Sequence, residues 1–331
     1  MLNIYAPIAV FAFNRPDNLR RTLTALAANR LASESDLTIF CDGPRNEQEK
    51  YKTNAVRDVA YAASGFASVS VVHRKKNLGL KKSLISGITS IIKKYGKIIV
   101  IEDDIVTSQF FLQYMNEALS CYADNHKVAS ISGFCVAHEV KNPPETFFIR
   151  GGDCWGWGTW YDRWKLFNHD GAKLLAQIKE SNLTQKFDLD GSCPSTEILQ
   201  AAVDGKVDSW FMLWTASIFL LDMYTLYPSR SLVKNIGFSS GTHSNGANYS
   251  QQQLSDRPIF IERQAISENK TMVHAVRNWY KKNMKRGRQH HIIELVRATG
   301  RSILVAGFIP TLKKILAFSI KKLKEHISSL C

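Results

Sequence analysis

Residues 97–119 read KIIVIEDDIVTSQFFLQYMNEAL. Lys97 to Ile101 is a short apolar run with IIVI at its centre, and such a run bounded by a polar break predicts a buried strand. The strand ends on three carboxylates in a row, Glu102, Asp103 and Asp104, with a helix expected from near Thr107. Mutual repulsion raises the pKa values of adjacent carboxylates unless a cation or strong hydrogen bonds compensate. A hard divalent ion with oxygen ligands is one such compensation, and it keeps coordination sites for water and phosphate oxygens. A solvated turn, or acids favoured by the first turn of the next helix, accounts for the same triplet without an ion.

Working outward, the chain alternates strands with helices. Ile8 to Phe13 is apolar and runs into Asn14-Arg15-Pro16-Asp17, then LRRTLTALAANRLA, which reads as a strand, a turn and a helix with Pro near its first position. Leu37 to Cys41 predicts a second strand, stopped by Asp42-Gly43-Pro44. Val69 to His73 predicts a third, after which Asn77-Leu78-Gly79 opens a helix that closes at Gly96. Short apolar strands alternating with longer helices imply an α/β fold, a mostly parallel sheet with helices on both faces. Ligands collect at the carboxyl ends of such strands. Here those ends carry Asn14-Arg15, Asp42, Arg74 with Asn77, and the acidic triplet.

Downstream the pattern is less regular. Gly151 to Trp164 (GGDCWGWGTWYDRW) holds four Trp and four Gly, and two helical stretches are expected in Glu197 to Leu221 around Val207-Asp208-Ser209-Trp210. TLYPSRSLVKNIGF reads as a strand before the small-residue loop Ser239 to Ser244, and Pro258 to Ile261 as one more short strand.

The 331 residues are 45% hydrophobic, 11% aromatic and 22% charged, which excludes collagen, a disordered chain and a disulfide-stapled miniprotein. The six Cys show no metal-ligand spacing and read as reduced thiols. The net charge of +14 is localised: residues 271–331 hold 13 Lys/Arg against 2 Asp/Glu, and residues 1–270 hold 30 against 27. Leu312, Leu316, Ile320, Leu323, Ile327 and Leu330 form one helical stripe with lysines off it, a basic amphipathic helix suited to an anionic membrane surface or to packing on protein. The cluster KKNMKRGRQHH could bind phosphates, but no nucleic-acid fold surrounds it and no nucleic acid is expected as partner. No run of 18 apolar residues and no secretory leader is seen, so the expected location is cytoplasmic, peripheral to the inner face of the plasma membrane.

The succession VFAFNRP, IFCDGP, NLGLKKSLISGI and IIVIEDDIVTSQFFLQYMNEAL resembles nucleotide-sugar glycosyltransferases of the GT-A fold. Within these it is similar to the inverting N-acetylglucosaminyltransferase of N-glycan synthesis and to bacterial family-2-like sugar transferases, over residues 5–250. The resemblance implies a catalytic domain over 1–265, with a nucleotide-binding half 1–125 and an acceptor half 126–265, and a basic tail over 266–331. It implies a UDP-sugar donor, a saccharide or lipid-linked saccharide acceptor, Mn2+ or Mg2+ as cofactor, and a place in bacterial surface-polysaccharide synthesis. Asp104 would bind the metal, Asp103 the ribose, and Glu102 would face the sugar. Arg15, with Asn14 beside it, and Asp42 would hold the base, with Asn77 and Gly79 alongside. No histidine stands in the 77–79 loop, where the animal enzyme has one against the base. Asp208 in VDSWFMLW would be the general base, with Asp204 and Asp162 as rivals, and an N-cap role would explain Asp208 equally. Trp157 would line the donor pocket, with at most two of the four Trp in it, and Thr242 and His243 would close over the diphosphate, with Lys81 or Lys82 assisting. The alternatives are a sugar nucleotidyltransferase, which would normally carry a glycine-rich loop after the first strand, and an inactive protein that binds anionic surfaces.

Overall fold

The computed structural model describes residues 5–137, 139–237 and 253–283. Alternation is regular at first: β1 (Ile8–Ala12), α1 (Pro16–Ala27), β2 (Asp36–Cys41), α2 (Lys50–Tyr61), β3 (Ser68–His73), α3 (Leu80–Tyr95) and β4 (Lys97–Glu102). Next come β5 (Ile105–Thr107), α4 (Phe111–Cys121), β6 (Val128–Ser132), β7 (Thr146–Arg150), β8 (Trp157–Trp160) and a single turn α5 (Tyr161–Trp164). The helices α6 (Gly171–Glu180), α7 (Thr184–Phe187), α8 (Ser195–Val203) and α9 (Trp210–Leu220) precede β9 (Tyr224–Pro228) and β10 (Val233–Asn235).

The main sheet has eight strands in the order β3-β2-β1-β4-β8-β6-β9-β7. The first four are parallel neighbours; β8 runs against both β4 and β6, and β7 runs against β9, so six strands share one direction. The apolar runs of β1 and β4 are continuous because both faces are covered. Ile8, Val10, Ile99 and Ile101 pack with Leu19, Leu23 and Leu26 of α1 and Phe111 and Met115 of α4. Ala9, Phe11, Ile98 and Val100 pack on the other face with Leu84, Ile88 and Ile92 of α3 and with the tryptophans 157, 164, 210 and 214. The strict two-residue alternation between these two cores fixes the register, since a one-residue slip would exchange them.

Three expectations change. The TLYPSRSLVKNIGF stretch is two strands in different sheets, since β10 leaves the main sheet to pair with β5. Pro258 to Ile261 is not a strand. Residues 270–281 are helical, with Met272, Val273 and Val276 buried in the core, so the packed body runs past the expected end at position 265. The described residues up to position 281 form one compact unit, and the 312–330 stripe lies outside the described residues.

Candidate functional site

The parallel register brings three strand ends together. Phe11 pairs with Glu102 and Ala12 with Cys41, so the residues that follow, Phe13 to Arg15, Asp42 and Gly43, and Asp103 and Asp104, emerge at one carboxyl edge. Arg15 is the residue before Pro16 and caps α1 with its backbone only, which leaves its side chain for other work. Its Nη2 donates to Asp103 and its Nη1 donates to Asp104 Oδ2 at 2.8 Å. Asp103 also accepts from the Phe13 amide at 3.4 Å, and its carbonyl accepts from Thr22 Oγ1 at 2.9 Å. The Asp104 carbonyl accepts from the Ile236 amide at 2.8 Å. Gly237 then passes so close to Asp104 and Arg15 that a Cβ there would overlap the Asp104 carboxylate.

The electrostatics of this tip are unbalanced. Burial pushes the Asp103 carboxyl up to about 6, against the pull of Arg15. Glu102, whose side chain has no hydrogen-bond or ion-pair partner among the described residues, is pushed up to about 8 by burial first and then by Asp104 and Asp103. Burial works against the charge of Arg15, but the two aspartates outweigh it and hold its pKa above the usual value. Three carboxylates thus stand beside one guanidinium, which bonds two of them, and among the described residues Asp104 Oδ1 has no hydrogen bond.

The second strand end is satisfied. Asp42 is buried, and its two oxygens accept from the amides of Gly43 (2.9 Å), Leu78 (2.9 Å) and Gly79 (3.1 Å) and from Asn77 Nδ2 (3.2 Å). Asn77 Nδ2 also donates to the Gly43 carbonyl at 2.9 Å. Asp42 and Asn77 therefore fix the loop that opens α3, and Asp42 has little acceptor capacity left for a base. Gly79 caps α3 at φ +76°, ψ 162°, a conformation essentially restricted to glycine.

Asp208 arrives at this same loop from far along the chain. Its Oδ2 lies 3.6 Å from where a Gly79 Cβ would stand. It is exposed and has no hydrogen-bond or ion-pair partner among the described residues. The N-cap of α9 is Ser209, whose side chain accepts from the Met212 amide at 3.4 Å, so capping does not occupy Asp208. Its rivals are both engaged: Asp204 with Lys206 Nζ (2.8 Å) and Gln200 Nε2 (2.9 Å), Asp162 with Arg163 Nη1 (2.6 Å) and His126 Nδ1 (3.0 Å).

The remaining expected residues divide. Asn14 donates to Glu49 Oε1 at 3.4 Å, and Lys81 and Lys82 stand in the first turn of α3. Trp157 is a correction: it is 0% exposed in β8, stacked on Trp210 at 5.6 Å and tilted against Trp214 at 5.9 Å, with no face left for a sugar. Trp160 and Trp164 are buried too, and only Trp155, edge-on to Phe134 at 4.6 Å, keeps part of its surface. Thr242 and His243 lie outside the described residues.

One residue was missed. Asp153 accepts from the Trp155 amide at 3.0 Å, yet burial pushes its carboxyl up to about 7. The thiol of Cys154 next to it is pushed well up by burial, then by the charges of Asp153, Glu102 and Asp104, so this loop stands beside the acidic tip. A carboxylate inside Gly-Gly-Asp-Cys-Trp was the available signal.

The donor set suits a hard cation: carboxylate oxygens only, a shortage of positive charge, and one free oxygen on Asp104. No group of three or more His, Cys, Asp or Glu side chains that could hold an ion occurs among the described residues, so an ion on Asp104 would take most of its ligands from water and from a bound substrate. No described helix is long and apolar enough to cross a membrane.

No protein-family model and no curated protein matches the chain. Similar solved structures include the mannosyltransferase PcManGT from Pyrobaculum calidifontis in complex with GDP-Man and Mn2+ (11% identity, TM-score 0.44, 97% of this chain and 82% of that one). Glucosyl-3-phosphoglycerate synthase from Mycobacterium tuberculosis, in complex with Mn2+, uridine diphosphate and glucosyl-3-phosphoglycerate, is similar at 10% identity and TM-score 0.32 (54% and 67%). A UDP-glucose pyrophosphorylase complexed with UDP-glucose is similar at 10% identity and TM-score 0.34 (67% and 90%). Likeness at this level assigns no activity; the fold is read from the sheet itself, a mixed α/β sheet, mostly parallel, with the acidic tip at its carboxyl edge.

Proposed function

We propose that the chain is a metal-dependent inverting glycosyltransferase that moves a sugar from a nucleotide-sugar donor, a UDP-sugar by resemblance, to a hydroxyl of a saccharide or lipid-linked saccharide. The observation that carries this reading is Asp208: an exposed carboxylate without a partner, set beside the Gly79 loop at the edge where the cation-poor tip emerges. Asp208 takes the proton of the acceptor hydroxyl as that oxygen attacks the anomeric carbon. The Asp42–Asn77 clamp keeps the loop facing it rigid, so the acceptor oxygen would meet Asp208 beside a fixed wall. A divalent ion held by Asp104 would stabilise the negative charge that collects on the leaving diphosphate. Asp103 and Glu102 would meet the ribose and the sugar, Asn14, Asn77 and Gly79 would flank the nucleotide, and Thr242 and His243 would lie over the diphosphate.

The site is assigned to a catalytic domain over 1–265, extended by the helix at 270–281, and the basic stripe of 312–330 to an anionic membrane surface at the cytoplasmic side, where a lipid-linked acceptor of surface-polysaccharide synthesis would be met. A sugar nucleotidyltransferase is the weaker reading, because β1 leads through Asn14-Arg15-Pro16 straight into α1 with no glycine-rich loop for a triphosphate. The test is a screen of nucleotide sugars for Mn2+-dependent hydrolysis and for thermal stabilisation. UDP with Mn2+ is expected to raise the melting temperature of the wild type and to leave Asp104→Ala unmoved; stabilisation independent of metal, or unchanged in Asp104→Ala, overturns the reading.

A further inference from the structure

Among the described residues one cation, Arg15, stands at the acidic tip. The Arg15 side chain bonds to Asp103 and to Asp104 and to nothing else among the described residues, and it is 29% exposed while that of Asp104 is 11% exposed. A metal ion approaching the free Oδ1 of Asp104 would come up against a guanidinium already seated on Oδ2 of the same carboxylate. Two cations on one carboxylate repel, and Gly237 packs directly on Oδ2 and Nη1 of this pair.

We infer that Arg15 is the resting counter-ion of the metal site: the divalent ion binds Asp104 only as Nη1 leaves Oδ2, and Arg15 then keeps Asp103 alone or turns to an anionic ligand. The inference rests on the reading of Asp104 as the metal ligand, and it concerns what controls that site. Metal and nucleoside diphosphate then help each other to bind, since the metal frees a guanidinium arm and a diphosphate gives that arm a new partner. By linkage the help is mutual.

Mn2+ alone is the probe, titrated into the full-length protein and followed by calorimetry or by the electron-spin signal of free Mn2+, with and without UDP. Arg15→Gln is expected to bind Mn2+ alone about tenfold more tightly than the wild type, as removal of a competing charge-assisted hydrogen bond implies. Arg15→Lys, with one point charge in place of a two-armed fork, is expected to shift in the same direction by less. Adding UDP should narrow the gap between wild type and Arg15→Gln. Equal or weaker binding of Mn2+ alone in Arg15→Gln overturns the inference, and if that variant does not fold, equal or weaker binding in Arg15→Lys does so. Asp104→Asn separates the two levels. Loss of Mn2+ binding in Asp104→Asn with no gain in the Arg15 variants would sink the counter-ion role and spare the metal site. Unchanged binding in Asp104→Asn would sink both.

Discussion

Two aspartates flank Gly79 and share almost nothing else. Asp42 is buried and accepts from three backbone amides and an asparagine; Asp208 is exposed and accepts from nothing among the described residues. A carboxylate that has spent its lone pairs on backbone amides holds the chain in place. One left bare in solvent, next to a loop that has been made rigid, is available to take a proton. The contrast teaches that position in the sequence motif does not separate the two roles, whereas the count of donors around each oxygen does.

The contrast can be broken by exchanging the side chains. Asp208→Asn should lower turnover about 10³-fold, the scale of a lost general base. Its stability in urea should stay within about 0.5 kcal/mol of wild type, as for an exposed side chain without partners. A comparable fall in stability would mean that Asp208 is structural after all. Asp42→Ala should do the reverse and lose about 3 kcal/mol of unfolding free energy, because several amides are left without acceptors. A urea melt within error of wild type would refute the clamp.

Smaller effects sharpen the picture. Gly79→Ala forces a side chain into φ +76° and is expected to cost about 2 kcal/mol. Its Cβ would also touch Asp208 Oδ2, so turnover should fall further than stability alone explains. Asp153 gives a pH signature. Its folded pKa of about 7 stands above the unfolded carboxyl value of about 4. Between these values the native state retains a proton that the unfolded chain has released, so the Asp153 contribution to stability falls as pH rises through that window. Asp153→Asn lacks this loss, and its stability relative to wild type should rise from pH 4 to 7 and level off above. A flat difference across that range would remove the assigned burial.

How far the sequence could be read follows from the same physics. The strands β1 and β4 were legible as short apolar runs closed by a polar turn, and β2 and β3 as runs of mostly β-branched and apolar residues; the observed bounds match the expected ones at four of the eight ends and differ by one residue at the other four. The helix α2 was not read, since KYKTNAVRDVAY buries only Thr53, Val56 and Ala60 and shows a faint stripe. The Trp/Gly segment was read as a ligand loop, but its centre is β8, in the middle of the sheet and buried throughout. Aromatic residues beside glycines serve a sugar pocket and a crowded core equally well, and sequence spacing does not distinguish them. Among site residues, the acidic tip and Asp208 could be singled out one by one, while the Arg15 link to Asp103 and Asp104 could not, because it joins positions some 90 apart.

The tryptophan stack has a practical consequence. Trp210 stands two positions after Asp208 and lies flat against Trp157, which is itself anchored in the sheet beside β4. Any tilt of the helix that follows Asp208 must slide one indole over another, and stacked indoles report such slippage in their emission and in their near-ultraviolet circular dichroism. The protein therefore carries its own optical gauge of whether substrates move that helix, readable in solution without a label.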